Sequence, residues 1–348
     1  MPLEIIELDA STGGQIFRYG IGLSALLGRP VRVKNIRKQA SNPGLQMQHL
    51  TSLSTLSEIC SAETKGMRLH SMEIEFSPKQ VKEKSVTVNI GTAGSVTLLL
   101  QSLLLPSMLK KITLSIIGGT DVPSAPSYYY FKEVLFPLLK RTSARFEIEL
   151  TQHGFFPKGR GKVFFSSKPA RFALKPVFFT ERGELQHIKI FSQCSDLPKE
   201  VALNQASAAK RELEKLGVDV IEKIFHKQPS ETIGSSIDLI AFFSSGAIIG
   251  ANALGAKGKP AIEVGKEAAK KLFQEIETGK AIDQHLADQL IPFMALADGY
   301  STIHTTKLTE HCISSIRVTE SLLPVKFEVK GILNTPAEIF VEGIAWKP

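Results

Sequence analysis

The sequence predicts an α/β (α+β) protein made of three repeated β-α-β-α-β-type units and one small inserted β-α-β-β-β-α domain. A turn of small residues followed by an apolar helix, a strand and a second helix occurs three times along the 348 residues. The period from Gly13 to Gly91 is about 78 residues, which is too long for a solenoid repeat and suits a small α/β subdomain. We therefore predict a three-repeat domain of residues 1–180 and 281–348, interrupted by an inserted domain of residues 181–280.

The first two units share the order of their predicted elements. Each opens with a turn of small residues, at 12–14 in the first and at 91–95 in the second, and each turn starts an apolar helix. Gly28 is expected to end the first of these helices. The other predicted elements are a strand from residue 31, a helix after 42–44, strands at 72–76 and 112–117, a helix at 128–139, and a hairpin of 145–150 with 162–165.

The third unit contains the stretch that carries most of the functional interest. A helix is predicted at 285–297 and a short strand at 302–305. Thr309 is a good N-cap for a further helix, Pro324 stops it, and residues 325–329 alternate as a strand does. The inserted domain is predicted as a strand at 185–191, a helix at 198–216 with Asp196 as its cap, a strand at 218–225, a hairpin of 237–243 with 247–252, and a helix at 261–277.

Composition restricts the class of protein and the kind of partner. The chain has 42 Lys and Arg against 34 Asp and Glu, a formal net charge of +8, which favours an anionic partner such as a nucleic acid or nucleotide, although a uniformly basic surface gives the same excess. Three scattered cysteines fit a reducing cytoplasm better than a disulfide framework. The N-terminus does not resemble a signal peptide, and the apolar run 239–254 is interrupted by Ser244-Ser245-Gly246. We expect a cytoplasmic protein with no membrane span.

The common phosphate-binding and catalytic motifs do not occur. The stretch 250–257 has two glycines at P-loop spacing but lacks Gly-Lys-Ser/Thr and follows a strand of a hairpin. No GxGxxG follows a strand, there is no HExxH, and no serine lies in a nucleophile elbow. The histidines do not pair at metal-ligand spacing within a helical turn, so the sequence leaves the metal ligands unknown.

Polar residues at predicted helix starts offer a different kind of site. His311 falls in the first turn of its helix, where the helix dipole disfavours imidazolium and free backbone N–H groups face incoming anions. Arg18 and Arg37 have the donor geometry to hold phosphate oxygens. The other candidates at helix starts are Gln15, Gln48, His49, Ser95, Gln101, Asp288 and Gln289. The alternative is that these residues only cap helices, carry surface charge or pack against neighbours. For a single histidine near a helix start, such a structural role is the more common one.

Several short motifs, in order along nearly the whole chain, resemble the RNA 3′-terminal phosphate cyclase family. The motifs are Gly13-Gly14-Gln15-Ile16-Phe17-Arg18, Asn42-Pro43-Gly44-Leu45-Gln46-Met47-Gln48-His49-Leu50, Gly91-Thr92-Ala93-Gly94-Ser95, Gly118-Gly119-Thr120-Asp121-Val122-Pro123-Ser124-Ala125-Pro126, His153-Gly154-Phe155-Phe156-Pro157, Leu286-Ala287-Asp288-Gln289-Leu290 and the His311 helix with Leu323-Pro324-Val325-Lys326-Phe327. The family fold, three repeated α/β units with one small inserted domain, agrees with the architecture predicted above.

The resemblance implies a ligase-type, ATP-dependent reaction in RNA processing. The histidine matched by His311 attacks the α-phosphate of ATP and forms a histidine-linked AMP, which passes to an RNA 3′-terminal phosphate; the 2′-hydroxyl then closes a 2′,3′-cyclic phosphodiester. A divalent metal, Mg²⁺ or Mn²⁺, is implied as well. By the same resemblance the nucleotide site is Gln101, Pro126, His285, Leu286, Ala287, Asp288 and Gln289, and the RNA or phosphate site is Gln15, Arg18, Arg37, Gln48 and His49.

Three positions depart from the family pattern. Ser11 stands near where the family usually has an acidic residue, Ala40 replaces a second arginine, and His285 replaces a tyrosine. Two alternatives stay open: a non-catalytic RNA-binding assembly factor on the same fold, against which His311 argues, and an enolpyruvyl-transfer enzyme of similar repeated architecture, which would not explain the His311 helix. The physiological RNA, the role of the inserted domain and the oligomeric state are not determined by the sequence.

Overall fold

The computed structural model of the protein describes residues 4–225 and 230–348. Strands and helices alternate along the chain, and the described strands form four four-stranded sheets. The first unit consists of β1 (Ile6–Asp9), α1 (Gly14–Leu27), β2 (Val31–Lys34), α2 (Met47–Cys60), β3 (Glu63–Lys65) and β4 (Ile74–Ser77). The second consists of β5 (Lys84–Asn89), α3 (Val96–Leu103), β6 (Ile112–Gly118), α4 (Tyr128–Tyr130), a π-helical turn (Phe131–Leu135), α5 (Phe136–Arg141), β7 (Arg145–Gln152) and β8 (Gly161–Lys168).

The third unit is split in the sequence. Its first strand, β9 (Phe178–Phe179), is followed by a separate group of elements: β10 (Leu185–Ser195), α6 (Lys199–Leu213), β11 (Asp219–Phe225), β12 (Gly234–Phe243), β13 (Ile248–Leu254) and α7 (Ala261–Glu277). The unit then resumes with α8 (Gln284–Leu296), β14 (Tyr300–Thr305), α9 (Glu310–Leu322), β15 (Glu328–Lys330) and β16 (Ala337–Glu342).

Three of the sheets have the same strand order. They run β1-β2-β4-β3, β5-β6-β8-β7 and β9-β14-β16-β15, and in each the first pair is parallel while the other pairs are antiparallel. The fourth sheet, β11-β10-β12-β13, belongs to the group between β9 and α8. The predicted α/β (α+β) class is confirmed. The division into domains of residues 1–180 with 281–348 and 181–280 stays a prediction.

Local chemistry explains where the functional helices begin and end. Gly28, at φ 66°, ends α1 in the left-handed conformation that glycine adopts without strain. Thr309 caps α9, since its side chain accepts a hydrogen bond from the Cys312 N–H at 3.1 Å. Asp283 caps α8 in the same way through the N–H groups of His285 and Leu286. These caps place the first turns of α8 and α9, and with them His285 and His311.

Two local predictions were wrong. Asp196 does not cap α6: its φ of 53° is left-handed rather than extended, and Pro198 occupies the N-cap position. The strand predicted at 325–329 is confined to β15, which begins at Glu328. The preceding backbone is bonded locally instead, because the Phe327 N–H donates to the Glu320 carboxylate at 2.8 Å. In the part of the chain that the structure describes, no helix has the length and apolar character needed to cross a membrane.

Candidate active site

Helix α1 lies at the centre of the candidate site. It packs against α3 and α9, and α8 in turn packs against α9. Residues 15–26 of α1 are buried on every face. Most of them are apolar or small, but Gln15 and Arg18 are not, and a buried polar side chain is costly unless it finds partners. Their partners therefore define the site.

Arg18 begins a chain of hydrogen bonds that joins three helices. Its Nε donates to Gln101 Oε1 of α3 at 3.0 Å, and Gln101 Nε2 donates to Gln289 Oε1 of α8 at 3.2 Å. Arg18 is only 9% exposed. Within residues 4–225 and 230–348, neither terminal guanidinium nitrogen has a hydrogen bond, and no carboxylate forms an ion pair with Arg18. Burial lowers the pKa of this guanidinium, which shows that the site disfavours the unpaired charge. An anion bound to the terminal nitrogens of Arg18 would stabilise this charge.

A second bridge connects α1 with α8 and α9. Gln15 Nε2 donates to Asp288 Oδ2 and to Ser315 Oγ, each at 2.5 Å. Burial raises the pKa of Asp288 to about 7, although the hydrogen bond from Gln15 and the charge of Arg18 oppose the shift. Burial therefore favours the protonated form of Asp288. It does not supply the full negative charge that would neutralise Arg18.

His311 is the exposed titratable group beside these buried residues. It is the second residue of α9 and makes no side-chain hydrogen bond to any part of the chain that the structure describes. Although the residue is exposed, nearby atoms still desolvate the ring, and this desolvation is the largest cause that lowers its pKa. The charges of Arg18 and His285 lower the pKa further, while Glu310 raises it. The imidazole is therefore neutral at pH 7 and keeps a lone pair for attack.

His49 differs from His311 because it is buried. Its Nδ1 accepts a hydrogen bond from the Gln46 N–H at 3.2 Å, which closes the first turn of α2. Burial and the charges of Arg18 and Arg37 lower its pKa to about 3, so the ring is neutral, with its proton on Nε2. A Cβ on Gly14 would lie 2.7 Å from this Nε2. The glycine turn before α1 is thus needed for the close approach of His49.

The remaining candidate residues lie around this core at different depths. Gln48 Oε1 accepts a hydrogen bond from the Ser95 N–H at 2.7 Å, and the Pro126 carbonyl accepts one from Thr97 Oγ1 at 2.7 Å. Arg37 donates to the Asn42 carbonyl at 2.7 Å, so one of its terminal nitrogens is already used by its own loop. Its charge acts on Arg18 and His49 and contributes to lowering the pKa of each.

The predicted nucleotide-binding segment of α8 has two kinds of residue. His285 is exposed in the first turn, whereas Leu286 and Ala287 are completely buried in the core. Neither residue is exposed in this structure. Asp288 and Gln289 join the buried network described above. The structure therefore brings Gln15, Arg18, His49, Gln101, His285, Asp288, Gln289 and His311 together, with Gln48, Pro126 and Arg37 at the periphery.

The chain matches the model of one protein family over most of its length. The model of the RNA 3′-terminal phosphate cyclase family matches residues 10–329. The chain belongs to this family. The prediction that it is an enzyme of the cyclase family, made from the short motifs, is confirmed.

Three curated relatives carry the name RNA 3′-terminal phosphate cyclase. The one from Ignicoccus hospitalis is 39% identical over 354 residues, covering 99% of this chain and 100% of the relative. Those from Staphylothermus marinus and Methanopyrus kandleri are 42% and 41% identical and cover 99% and 97% of this chain and 100% and 99% of their own lengths. Among solved structures, an enolpyruvyl transferase from Streptomyces tendae aligns over 98% of this chain and 82% of its own, but at 10% identity and a TM-score of 0.25. That likeness gives no support to the enolpyruvyl-transfer alternative.

Sequence reasoning missed two positioning residues of this cyclase-family site. Ser315 accepts a hydrogen bond from Gln15 and lies one helical turn after His311. Asp283, besides capping α8, accepts hydrogen bonds from the Tyr130 hydroxyl at 2.6 Å and from the Gly250 N–H at 3.1 Å. An aspartate directly before a helix is a cap signal and identifies Asp283. Nothing in the local sequence around Ser315 distinguishes it from an ordinary helix residue.

The described residues do not form a metal site of their own. In residues 4–225 and 230–348 no three His, Cys, Asp or Glu side chains come together in a way that would hold an ion. Near the glycine turn the nearest acid in sequence is Asp9, and its carboxylate is bonded to the Ser11 N–H at 2.8 Å and to Asn35 at 2.8 Å. These residues do not fit a metal held by the protein alone, so we assign no reaction step to one.

Proposed function

We propose that this protein is an ATP-dependent RNA 3′-terminal phosphate cyclase with His311 as its nucleophile. A ring nitrogen of His311 attacks the α-phosphorus of ATP, the bond to the β-phosphate oxygen breaks, and pyrophosphate leaves. The AMP then passes from His311 to the RNA 3′-phosphate. Finally the neighbouring 2′-hydroxyl attacks that phosphate, closing the 2′,3′-cyclic phosphodiester and releasing AMP.

One observation carries the proposal: a neutral, exposed histidine lies beside a buried arginine that has no ion-pair partner in the described chain. A neutral ring leaves His311 with a lone pair for attack, and the N-terminal end of α9, where His311 lies, is an environment that favours anions. The two free nitrogens of Arg18 supply donors for the charge that develops on the phosphate oxygens. Its Nε is fixed by Gln101, so the guanidinium is already oriented before the substrate binds.

The surrounding residues fit the two substrates. We assign Gln101, His285, Asp288, Gln289 and Pro126 to the nucleotide, with the backbone of Leu286 and Ala287 beside it. We assign Gln15, Arg18, Arg37, Gln48 and His49 to the phosphates of RNA or ATP. A substrate recognised at its 3′-terminal phosphate needs few base contacts, so recognition of the RNA should be largely independent of sequence and sensitive to salt.

The proposal includes the conditions of the reaction. ATP and RNA with a 3′-terminal phosphate are the substrates, and Mg²⁺ or Mn²⁺ accompanies the ATP. The three cysteines are free thiols buried in the described structure, and we place the protein in the reducing cytoplasm.

A conversion assay tests the proposal. Wild type and His311→Ala are incubated with ATP, Mg²⁺ or Mn²⁺, and an RNA oligonucleotide whose 3′-phosphate is labelled, and the cyclic product is recognised because phosphatase no longer removes the label. Wild type should convert the RNA and His311→Ala should not. His304→Ala, a half-buried histidine in β14 outside the candidate site, is the matched control and should behave as wild type. Conversion by His311→Ala at the wild-type rate would refute the role of His311. RNA binding without conversion by any of the three proteins would favour the non-catalytic assembly factor.

A further inference from the structure

A large cavity lies outside the candidate active site, between the second unit and the group of elements from β10 to α7. Its volume is about 700 Å³, which is in the range of small-ligand sites. Loops around Asp121 and Phe155 form its side on the second unit. The other side is formed by the start of α6, the start of β12 and the turn from β13 into α7.

The walls of this cavity carry apolar side chains that are left open to solvent. Phe156 is 64% exposed and Ile233 is 60% exposed, and both line the cavity. Phe155, the neighbour of Phe156, is buried against Gly234, where an added Cβ would lie 2.2 Å from a ring carbon. The Phe155 N–H also donates to Thr232 Oγ1 at 2.9 Å. The wall is thus held rigidly while Phe156 is free to contact a ligand.

The polar groups beneath these walls are already bonded to one another. The Asp121 carboxylate accepts hydrogen bonds from Ser236 Oγ at 2.9 Å and from Gln193 Nε2 at 3.2 Å. Gln205 donates to Ser235 Oγ at 2.8 Å. A ligand here would therefore be held mainly by apolar contact and stacking rather than by new hydrogen bonds to the floor.

The rim adds positive charge. Lys257 is exposed and lines the cavity, and within the ranges 4–225 and 230–348 it has no ion-pair partner. Lys259, two residues on, is different because it is paired with Glu267 and also donates to the Leu254 carbonyl at 3.2 Å. A flat apolar ring attached to a negative group matches an apolar wall next to a free lysine. A nucleotide has both.

One loop links the cavity wall with residues at the periphery of the candidate active site. Asp121 and Pro123 line the cavity, and Pro126, three residues later, is at most about 11 Å from Pro123 along the chain. The Pro126 carbonyl is bonded to Thr97 Oγ1, and Thr97 shares a hydrogen bond of 2.7 Å with Ser95, whose N–H is bonded to Gln48. The cavity and Gln48, one of the predicted phosphate-binding residues, are thus joined by neighbouring hydrogen-bonded segments.

We propose that this cavity binds a nucleobase of the RNA strand that lies two or more nucleotides upstream of the nucleotide carrying the 3′-phosphate. Phe156 and Ile233 contact the base and Lys257 contacts a backbone phosphate. Stacking on an aromatic ring tolerates every base, so the subsite adds affinity for longer RNA without adding sequence preference. The inference rests on the proposed function, since it names a second contact for the same RNA substrate.

Substrate length provides the test. KM is measured for a 3′-phosphorylated 20-nucleotide RNA and for a 3′-phosphorylated dinucleotide, with wild type, Phe156→Ala and the matched control Phe172→Ala, whose phenylalanine is 80% exposed and does not line the cavity. Phe156→Ala should raise KM for the 20-nucleotide RNA about tenfold and leave the dinucleotide and the label transfer from ATP unchanged. Phe172→Ala should change neither. An unchanged KM for the longer RNA, or an equal rise for both lengths, would overturn the proposal.

A binding measurement separates this inference from the proposed function. Fluorescence anisotropy of the 20-nucleotide RNA is followed with His311→Ala, alone and combined with Phe156→Ala or with Lys257→Ala. The combination with Phe156→Ala should bind about tenfold more weakly, and Lys257→Ala should reduce the slope of log binding constant against log salt concentration by about one. Weaker binding together with no label transfer from ATP in the wild type would leave the subsite standing and refute the cyclase mechanism. Normal label transfer with unaltered binding would refute the subsite alone.

Discussion

Two polar clusters of this molecule each contain a histidine, and they differ in whether that histidine has a hydrogen-bond partner within the protein. At the junction of the second unit and the β10–α7 group, His153 is 1% exposed, its Nδ1 lies 3.2 Å from Asp121 Oδ2, and its ring stacks on Phe155. In the candidate active site, His311 is exposed and has no such partner in the described chain. The first histidine is held by a carboxylate, and the second is free to react.

The charged groups beside the two histidines show the same contrast. Each carboxylate oxygen of Asp121 and Asp238 accepts at least one hydrogen bond from a neighbouring side chain. Arg18, by comparison, uses one nitrogen on Gln101 and leaves its two terminal nitrogens without partners among the described residues. A cluster whose charges are satisfied internally holds the fold together, whereas a cluster with open donors is suited to a ligand.

The largest expected effect comes from removing the guanidinium of Arg18, which has no ion-pair partner among the described residues. Arg18→Ala should lower the rate of label transfer from ATP about 10²- to 10³-fold, because donors for the developing phosphate charge are lost. The thermal midpoint should hold or rise, since a buried cation without an ion-pair partner is removed. The initial rate of labelling and Tm are measured on the same preparation. A large fall in Tm with normal labelling would show instead that Arg18 stabilises the fold and does not take part in the reaction.

The opposite change is expected in the closed cluster. Asp238→Ala removes the acceptor of the Ser127 hydroxyl and one of the acceptors of the Gln193 amide, and should lower the free energy of unfolding by about 2 kcal/mol. Urea denaturation followed by circular dichroism measures this loss. Label transfer from ATP per folded molecule should stay at the wild-type level. A protein that unfolds at the wild-type urea concentration would show that the cluster contributes nothing to stability.

The pH dependence of stability sharpens the comparison further. Burial, with a contribution from Asp121, raises the pKa of Asp238 to about 8, above the value of about 4 expected in the unfolded chain. The folded protein therefore binds the extra proton between these values, and the associated stability is present below pH 4 and is lost as pH rises through 8. Between pH 4 and pH 8, the free energy of unfolding of the wild type should fall, relative to that of Asp238→Asn, by at most about 1.4 kcal/mol per pH unit. Parallel stability curves for the two proteins would contradict the assignment.

The smallest expected effect concerns the tuning of His311. Desolvation, Arg18 and His285 lower the pKa of His311 and Glu310 raises it, so on acidification label transfer should fall at a lower pH than the one at which a free imidazole becomes protonated. Glu310→Gln should move the acid limb of the profile to lower pH by less than about one unit. The Lys326-paired Glu320, in the last turn of α9, supplies the control Glu320→Gln. A profile that moves to higher pH in Glu310→Gln would show that Glu310 does not act through charge.

The sequence predicted the parts of the fold that depend on local signals. The α9 helix, its cap Thr309 and the glycine that ends α1 follow from residue types within a few positions of each other. The prediction that Asp196 caps α6 was wrong because aspartate also occurs in left-handed turns. The residue type alone does not determine which of the two backbone conformations it adopts. The family assignment succeeded because many short motifs agree in order, although none is specific alone.

The contacts that define the candidate site could not be predicted in the same way. Arg18 and Gln101 are 83 residues apart, and Gln101 and Gln289 are 188 residues apart, so only the packing of three helices joins them. The Asp121, His153 and Asp238 cluster was missed for the same reason, since Ser127 and Asp238 are separated by 111 residues. Nothing local in the sequence shows that one histidine is bonded to a buried carboxylate and another is exposed. The roles of the individual site residues stay predictions.

Label transfer from ATP most directly tests the claim that His311 is the nucleophile. Wild type and His311→Ala are incubated with ATP labelled at the α-phosphate, without RNA, and the protein-bound label is then exposed to acid and to alkali. The account predicts label on the wild type only, lost in acid and retained in alkali, as expected for a phosphoramidate on histidine. Equal labelling of the two proteins would contradict it and direct attention to His49, the other neutral histidine beside Arg18.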